Sequence, residues 1–390
     1  MDIKETDQQY VSHAYGRFGV VLTHGKGSTV YDENEKEYID FGSGIGVTAF
    51  GIADDEWKKA VIDQLDKLQH TSNLYYTEPC AELAKLLCEK TGMKKIFFGN
   101  SGAEANEGMI KFARKYSYDK YGEGRKTIIT LVNSFHGRTI TTLAATGQDG
   151  FHQIFGPFTP GFKYCPANDI EALNNMITDD VCAIMFECVQ GEGGVLNLDK
   201  EFVEEIDKIC KEKDILMCVD EVQTGNGRTG KYFAYMHYGV KPDIVSTAKG
   251  LAGGLPMGAV LFGDKLENTV TPGSHGSTFG GNPIAAAGAI SIVKRIDDKF
   301  LEEVTKKSEY IISKLKEIKG VKSVSGMGLM LGIETDKKAA DIANKCLEKG
   351  LLVLTAKTKV RLLPALSITK EETDKGLAII KEVIEDETFA

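Results

Sequence analysis

Three consecutive segments decide the expected fold: VCAIMFE at Val181–Glu187, EFVEEIDKICKEK at Glu201–Lys213 and ILMCVD at Ile215–Asp220. The first and third are short and almost wholly apolar, as is typical of strands buried on both faces of a parallel sheet. The middle segment spaces its apolar residues as an amphipathic helix does. Strand, helix and strand in this order predict a βαβ unit.

The same alternation extends to both sides of this unit. Further strands are predicted at KKIFF, TIITLV, DIVST and AVLFG, and helices at EWKKAVIDQLDKL, EPCAELAKLLCEK and AEANEGMIKFARKYSYDKY. Residues 1–50 instead contain short strand-like pieces separated by turns, and the C-terminal tail has its own αβ rhythm. The chain has 390 residues, more than a single core usually holds. We therefore predict an α/β fold with a large domain at 51–288 and a small domain built from 1–50 and 289–390.

The composition is that of an ordinary globular protein, with 42% hydrophobic and 26% charged residues. The net charge of −9 and the pI near 5.5 disfavour nucleic acid or an anionic membrane as the main partner. The first residues, MDIKETDQQY, lack the apolar run of a signal peptide, and no segment approaches the roughly 18 apolar residues of a membrane span. The eight cysteines have no CxxC spacing. We expect no metal site, reduced thiols and a cytoplasmic location.

Three polar positions follow predicted strands. Ser101 lies in a short turn between KKIFF and a helix, Asp220 ends ILMCVD, and Lys249 follows DIVST. Because ligands bind outside the carboxyl ends of the strands in open α/β sheets, we expect these residues to meet at one edge. The ordinary alternatives are a helix N-cap for Ser101, a cap or solvated strand end for Asp220, and a solvated loop for Lys249.

Together, the three positions meet the needs of pyridoxal phosphate. The turn before a helix presents backbone N–H groups to a phosphate, and a carboxylate such as Asp220 can hold a protonated ring nitrogen. Burial depresses the pKa of a lysine, and the neutral amine can then form a Schiff base with an aldehyde. Phe135, after strand TIITLV, would stack on the ring, although an ordinary core phenylalanine is the alternative.

A competing nucleotide-binding pattern, GxxxxGK, occurs at Gly225–Lys231. The next residue is Tyr232 rather than the Ser or Thr that holds Mg²⁺, and no helix-forming run follows. We interpret the match as coincidental. A P-loop protein and a catalytically inactive structural relative are the alternatives that lie outside the expected enzyme class.

Six motifs together resemble the class III (ω-type) pyridoxal-phosphate aminotransferases. They are NSGAEANE (Asn100–Glu107), SFHGRT (Ser134–Thr139), VQGEGGV (Val189–Val195), DEVQTGNGRTG (Asp220–Gly230), STAKGLAGGLPMGA (Ser246–Ala259) and STFGGNP (Ser277–Pro283). Asn226 departs from the pattern, since an apolar residue is usual there. The resemblance implies fold type I, with a mostly parallel seven-stranded sheet in the large domain, a small α+β domain, and a homodimer with its active sites at the subunit interface.

The resemblance also implies roles toward pyridoxal phosphate. Lys249 would bond to the cofactor and act as the general base, and Asp220 would pair with the pyridinium nitrogen. The other implied cofactor contacts are Gln223 near the phenolic oxygen, Val222 and Phe135 on the two ring faces, Ser101, Gly102 and Ala103 at the phosphate, and Thr278 at the phosphate of the neighbouring subunit.

Substrate binding is implied in the same way. Arg138 would take the distal carboxylate, with Ser277 nearby, and Arg361 the α-carboxylate of glutamate. Glu192 would pair with Arg361 while the terminal-amine substrate is bound. SNLYYTEP at Ser72–Pro79 and RLLPALSIT at Arg361–Thr369 favour members that transfer the terminal amino group of N2-acetylornithine to 2-oxoglutarate in arginine biosynthesis. Ornithine, succinylornithine, 4-aminobutyrate and acylated diaminopimelate are alternative donors, because one or two pocket residues can decide acyl recognition.

Overall fold

A seven-stranded sheet forms the centre of the computed structural model, which describes residues 2–388. The strands of the chain are β1 (Leu22–Lys26), β2 (Thr29–Asp32), β3 (Glu37–Asp40), β4 (Lys95–Gly99), β5 (Thr127–Leu131), β6 (Phe162–Cys165), β7 (Val181–Phe186), β8 (Val189–Gln190), β9 (Leu196–Asn197), β10 (Leu216–Asp220), β11 (Ile244–Thr247), β12 (Gly258–Phe262), β13 (Val321–Met327), β14 (Met330–Thr335), β15 (Leu351–Leu352), β16 (Leu354–Ala356) and β17 (Lys359–Leu362).

The strand order in the large sheet is β4-β12-β11-β10-β7-β5-β6. Strands β11, β10, β7, β5 and β6 are parallel to one another, whereas β12 runs antiparallel to both of its neighbours. The predicted α/β fold with a mostly parallel sheet is thus confirmed. The sequence patterns missed the edge strand β6, because its residues FKYC are mostly half-buried and form no continuous apolar run.

Twelve α-helices are described within residues 2–388. They are α1 (Ile3–Tyr10), α2 (Ser43–Gly46), α3 (Asp55–Leu65), α4 (Glu78–Thr91), α5 (Gly102–Tyr121), α6 (Ile140–Ala145), α7 (Ile170–Met176), α8 (Lys200–Lys213), α9 (Pro283–Arg295), α10 (Asp298–Lys316), α11 (Ala339–Glu348) and α12 (Lys370–Glu385). The segment α2 is a tight turn rather than a regular helix, since Gly44 and Ile45 both have left-handed backbone angles. No helix among these is long and apolar enough to cross a membrane.

Both faces of the large sheet are covered, which explains the apolar strands. Cys218 and Ile244 belong to a buried cluster with residues of α5, whereas their sequence neighbours Val219 and Val245 belong to a second cluster with residues of α8. Successive residues of a strand point to opposite faces of the sheet. A strand between two helical layers must therefore be apolar at every position, as ILMCVD is until Asp220.

The two ends of the chain come together away from this sheet. The segment β15 pairs with β3 in parallel, so that Leu351 lies opposite Ile39, and a second sheet has the order β13-β14-β17-β16. We propose that these elements form the small domain. The helix α9 packs on α3 and α4 and runs across position 288, so we propose that the second domain boundary lies after Arg295.

The GxxxxGK segment does not form a P-loop. The stretch from Gly225 to Gly230 is buried and consists of turns, and the next α-helix along the chain, α9, begins at Pro283. A P-loop requires a helix N-terminus directly after its lysine to cradle phosphates. The pattern at Gly225–Lys231 is therefore coincidental, as the sequence analysis interpreted it.

Gly376 in α12 provides a test of the packing between the two ends of the chain. A Cβ atom on Gly376 would lie 2.7 Å from Cε1 of Phe41, which is fully buried next to β3. Replacing glycine by alanine inside a helix ordinarily stabilises it by about 1 kcal/mol. Here we expect Gly376→Ala to lower the free energy of unfolding by about 2 kcal/mol, because the core becomes overpacked. Urea unfolding measures the change.

The matched control is the double variant Gly376→Ala with Phe41→Leu. We expect it to lose less stability than the sum of its two single substitutions, since the smaller side chain relieves the overlap. A Gly376→Ala protein as stable as the original chain would show that the two segments do not pack in this way.

Candidate active site

A cavity of about 590 Å³ lies where β10 and β11 end and α5 begins. This volume suits a cofactor together with a small substrate. Of the predicted site residues, the cavity is lined by Ser101, Gly102, Ala103, Phe135, Arg138, Asp220, Val222, Gln223 and Lys249. The expected meeting of strand ends at one edge is thus observed.

The turn before α5 contains the N-cap residue of that helix, followed by backbone amides that have no acceptor inside the helix. Oγ of Ser101 accepts a hydrogen bond from the backbone N–H of Glu104 at 3.1 Å, so this hydroxyl is the helix N-cap that the sequence left open. The amides of Gly102 and Ala103, in the first helical turn, have no acceptor inside the helix. A Cβ on Gly102 would lie 2.6 Å from Cγ1 of Val222, so glycine is required where the two cavity walls meet. The turn therefore presents N–H groups and no side chain to an anion.

Asp220 is buried at the cavity edge inside a hydrogen-bond network. Its Oδ2 atom accepts from Nδ2 of Asn106 at 2.7 Å and lies 2.8 Å from Nδ1 of His136. Its Oδ1 atom accepts from the backbone N–H of Val222 at 2.9 Å. Oγ of Ser246 donates to Oδ1 of Asn106 at 2.6 Å and so orients that amide toward Asp220. Asp220 is thereby held in one orientation as a hydrogen-bond acceptor.

Lys249 combines burial with an amine that has no partner. Within the described part of the chain, Nζ of Lys249 makes no hydrogen bond or ion pair. Burial lowers the pKa of this amine below the usual lysine value; the charge of Glu192 opposes this shift and that of Arg361 adds to it. The backbone of Lys249 is left-handed, with φ of 45°, an uncommon conformation for a residue with a side chain.

Asn226, the departure from the family pattern, supports the backbone beside Lys249. Its Nδ2 atom donates to Oγ1 of Thr247 at 2.9 Å and to the carbonyl of Ala248 at 3.1 Å. Both acceptors directly precede Lys249 in the chain. An apolar side chain at position 226 would leave these buried acceptors without this donor, so the amide has a structural purpose here.

Two aromatic rings accompany Arg138 at the cavity. The guanidinium lies 4.1 Å from the ring centroid of Phe151 and 5.3 Å from that of Phe135. The backbone N–H of Phe135 donates to Oε2 of Glu187 at 2.9 Å. Arg138 is exposed, and no carboxylate pairs with it among the described residues. An exposed guanidinium held by ring faces can bind the carboxylate of a ligand by donating hydrogen bonds to it.

Behind Gln223, Glu192 and Arg361 form an ion pair. Nη1 of Arg361 lies 2.6 Å from Oε1 of Glu192 and donates to Oε1 of Gln223 at 3.2 Å. Burial raises the pKa of Glu192, but the charge of Arg361 and its hydrogen bond outweigh this effect and hold the pKa below the usual value. Nε of Arg361 is buried without a partner among residues 2–388. Arg361 therefore keeps donor capacity that a ligand carboxylate could use.

Ser277 and Thr278 lie outside the cavity of their own chain as the structure describes it. Oγ of Ser277 accepts from Nδ2 of Asn100 at 3.1 Å and from the amide of Gly280 at 3.0 Å. Thr278 and Phe279 are exposed. An exposed loop of this kind can reach a site on another subunit.

Sequence reasoning missed Asn106, His136 and Glu187. All three are buried, and they reach the cavity from α5, from the loop after β5 and from the end of β7. Burial and the nearby negative charge of Asp220 raise the pKa of the Glu187 carboxyl well above its usual value. Asn106 and His136 do occur inside the quoted motifs NSGAEANE and SFHGRT, which was the available signal. Among residues 2–388, no group of His, Cys, Asp and Glu side chains is arranged to hold a metal ion.

Comparison with known proteins identifies the class. The sequence profile described as Aminotransferase class-III matches residues 10–384. The chain belongs to the class III aminotransferases. It is therefore an aminotransferase, and the resemblance inferred from the six motifs is confirmed.

Individual relatives are similar over almost their whole length. The acetylornithine aminotransferase of Haemophilus ducreyi is 52% identical, with 98% of each chain covered, and that of Methanocaldococcus jannaschii is 46% identical, with 97% of each covered. Among solved structures, the ornithine aminotransferase of Toxoplasma gondii has a TM-score of 0.93 at 31% identity, covering 98% of this chain and 94% of that one. The N-acetylornithine aminotransferase of Stenotrophomonas maltophilia has a TM-score of 0.84 at 34% identity, covering 97% and 98%.

Glu221, next to Asp220, is fully buried and gives the fold a specific pH dependence. Burial raises the pKa of its carboxyl to about 7, although Oγ1 of Thr224 and the amide of Tyr235 donate hydrogen bonds to it. The folded state therefore keeps this proton at a pH where the unfolded chain releases it. The stabilisation from the proton is complete below the unfolded pKa of about 4.3 and is lost as the pH rises through the folded pKa.

Glu221→Gln removes this titration. The original chain loses the stabilisation from this proton as the pH rises, and the variant does not. We therefore expect the free energy of unfolding of the variant minus that of the original chain to increase by roughly 2–3 kcal/mol from about pH 5 to about pH 8. Urea titrations at the two pH values measure the difference, and Glu201→Gln at an exposed position of α8 is the control. A relative stability that does not change with pH would contradict the buried position of Glu221.

Proposed function

We propose that the chain transfers the terminal amino group of N2-acetylornithine to 2-oxoglutarate, giving N-acetylglutamate 5-semialdehyde and glutamate in arginine biosynthesis. The proposal rests on one arrangement: an unpaired buried lysine faces the same cavity as Asp220 and Arg138, beside the ion pair of Glu192 and Arg361. Relatives at 52% and 46% identity carry the name of this activity, and so does a solved structure at 34% identity.

The proposed cofactor is pyridoxal 5'-phosphate. The cavity has room for it, Gly102 leaves the helix amides open to a phosphate, and Nζ of Lys249 is free for a covalent bond. When bound, pyridoxal phosphate supplies an aldehyde that takes up the amino group and a ring that accepts electrons from the substrate carbon. Asp220 would hold the ring nitrogen, and the remaining proposed contacts are Ser101, Ala103, Phe135, Val222 and Gln223.

Lys249 is the proposed general base. A general base works best when its pKa is near the working pH, and burial moves the pKa of Lys249 in that direction. Its Nζ atom would take the proton from the substrate carbon that carries the amino group and deliver it to the former aldehyde carbon of the cofactor, on the other side of the nitrogen. The rigid left-handed backbone and the support from Asn226 keep this amine at the cavity wall.

The substrate carboxylates are proposed to bind two arginines. Arg138, with Ser277 nearby, would take the distal carboxylate, since its planar guanidinium can bind a carboxylate through two hydrogen bonds. Arg361 would bind the α-carboxylate of glutamate after Glu192 moves away. With N2-acetylornithine bound, Glu192 would stay on Arg361, because this donor presents no carboxylate at that position.

We also propose a cytoplasmic homodimer. Large apolar side chains are exposed in SNLYYTEP and in the loop of Thr278: Leu74 by 88%, Tyr75 by 70% and Phe279 by 58%. Burial of such side chains between subunits is favourable. Thr278 would then contact the cofactor phosphate of the partner. All eight cysteines are free thiols, in keeping with a reducing compartment.

The visible absorption of the protein loaded with pyridoxal phosphate tests the function. We expect N2-acetylornithine to bleach the visible band of the bound cofactor and 2-oxoglutarate to restore it. Bleaching by ornithine, succinylornithine, 4-aminobutyrate or acylated diaminopimelate alone would replace the proposed donor by that amine.

Lys249→Ala is the control: it should keep the cofactor and lose more than about a thousandfold in turnover, as loss of a general base and covalent anchor requires. Near-normal turnover in this variant would remove Lys249 from its proposed role.

Glu192→Ala tests the proposed exchange at Arg361. We expect kcat/KM for N2-acetylornithine to fall by about tenfold or more, because Arg361 is left buried and uncompensated in that half-reaction. The reaction of glutamate, whose own carboxylate compensates Arg361, should change much less. Single-turnover rates with each substrate give the comparison, with Glu204→Ala on the exposed face of α8 as control. Equal losses with both substrates would refute the exchange.

A further inference from the structure

The hairpin that carries Glu192 rests on the sheet of the proposed small domain. It is formed by β8 and β9, where Val189 pairs with Asn197 and Gln190 with Leu196. Nδ2 of Asn197 donates to the carbonyl of Gly326 in β13 at 3.0 Å. The five-residue loop between the two strands contains both Glu192 and Val195.

Val195 has an unusual conformation in this loop. It is fully buried, and its φ of 54° lies in the left-handed region, which β-branched residues rarely adopt. Such a conformation persists when the surroundings determine it. Val195 belongs to a small apolar cluster with Val189, Met330, Ala356 and Leu363, which joins the hairpin to β14, β16 and the residue after β17.

The contact of Val195 with the sheet occurs at two glycines. A Cβ atom on Gly332 would lie 2.8 Å from Cβ of Val195, and one on Gly326 would lie 3.0 Å from its Cγ1. At Gly332 the side chain of Val195 therefore occupies the space that a side chain would otherwise fill, whereas a Cβ on Gly326 would first meet the carbonyl of Met330. No larger residue at Gly332 would allow the hairpin to approach the sheet this closely.

Gly332 is also the cross-strand partner of Arg361. The register between β14 and β17 places these two residues opposite each other, and opposed residues share one face of a sheet. Val195 thus packs beside Arg361, while Glu192, at the other end of the same loop, contacts Nη1 of Arg361 at 2.6 Å. The same loop therefore contacts Arg361 through the carboxylate of Glu192. It contacts Gly332, the cross-strand neighbour of Arg361, through the hydrocarbon side chain of Val195.

We propose that Val195 is a positioning residue that sets the preference of the site between the terminal-amine donor and glutamate. It does so by fixing the loop on Gly332, so that Glu192 stays on Arg361 until a carboxylate replaces it. This proposal rests on the exchange at Arg361 described under the proposed function. The hairpin then moves with the small-domain sheet rather than independently of it.

Val195→Gly in the loaded enzyme tests the proposal. Glycine suits a φ of 54°, so the variant removes the packing without straining the backbone. We expect the ratio of kcat/KM for N2-acetylornithine to that for glutamate to fall about fivefold, mainly through KM, and glutarate, which cannot react, to bind about fivefold more tightly. Calorimetry measures the glutarate binding. An unchanged ratio with unchanged glutarate binding would overturn the proposal.

Val189→Ala is the matched control. Val189 lies in the same hairpin and the same buried cluster, but it is not among the atoms nearest to Gly332. We expect it to alter both half-reactions in proportion and to leave glutarate binding unchanged. A shift in the ratio as large as that of Val195→Gly would mean that any loss of packing in the cluster has this effect, and that outcome would overturn the specific role of Val195.

Gly332→Ala examines the same contact from the other side. The added methyl group would meet Val195, so we expect a lower ratio of the two half-reactions. In the Val195→Gly background the same substitution should have an effect about fivefold smaller, because its neighbour is gone. Independent effects of the two substitutions would overturn the proposal.

Glu192→Ala separates this inference from the function on which it rests. If Glu192→Ala changes the ratio and Val195→Gly does not, the exchange at Arg361 holds and the role of Val195 fails. If Glu192→Ala leaves the ratio unchanged, the exchange itself fails, and the role of Val195 fails with it.

Discussion

The buried carboxylate of Asp220 is the constraint on which the arrangement of the cavity depends. It stands at the end of a strand that is apolar up to that point, and it accepts hydrogen bonds that tie together α5, the loop after β5 and the turn after β10. A buried charge without such partners would destabilise the fold by several kcal/mol. The three segments must therefore meet at this position, and their meeting leaves the cavity in front of them.

A second junction joins the proposed domains and determines where Arg361 lies. Arg228 is buried without a carboxylate partner among residues 2–388, and its Nη1 atom donates to the carbonyls of Leu329 at 3.1 Å and Pro364 at 2.5 Å. Burial lowers the pKa of its guanidinium to about 9. Leu329 precedes β14 and Pro364 follows β17, so Arg228 contacts the chain beside the strand that contains Arg361 and beside the strand that pairs with it. The cavity and the arginine beside it are thus assembled by two different polar contacts.

From the sequence we could predict the site residues that lie at or just after the end of a strand. We missed the residues that reach the site only through the geometry of their side chains. Asp220 and Lys249 could be located because Asp220 ends one recognisable buried strand and Lys249 lies two residues after another. Asn106 and His136 could not, since the hydrogen bonds to Asp220 span more than eighty positions and no periodicity marks them. The hydroxyl of Ser101 caps α5, and the backbone amides of the same turn remain available to the proposed phosphate. The edge strand β6 was missed because partial burial weakens the apolar pattern, and the boundary at 288 fell inside a continuous helix.

The electrostatics of Lys249 suggest why one amine can serve two different substrates in the proposed reaction. Glu192 raises its pKa and Arg361 lowers it, so the two members of the ion pair oppose each other and burial decides the direction of the shift. When glutamate binds as proposed, its α-carboxylate takes the place of Glu192 on Arg361. One negative charge then replaces another beside the same arginine, and the balance at Lys249 is preserved. A substrate exchange that left Arg361 without a carboxylate would instead lower the pKa of Lys249 further in one half-reaction. Because one carboxylate replaces another, Lys249 stays effective as a base in both half-reactions.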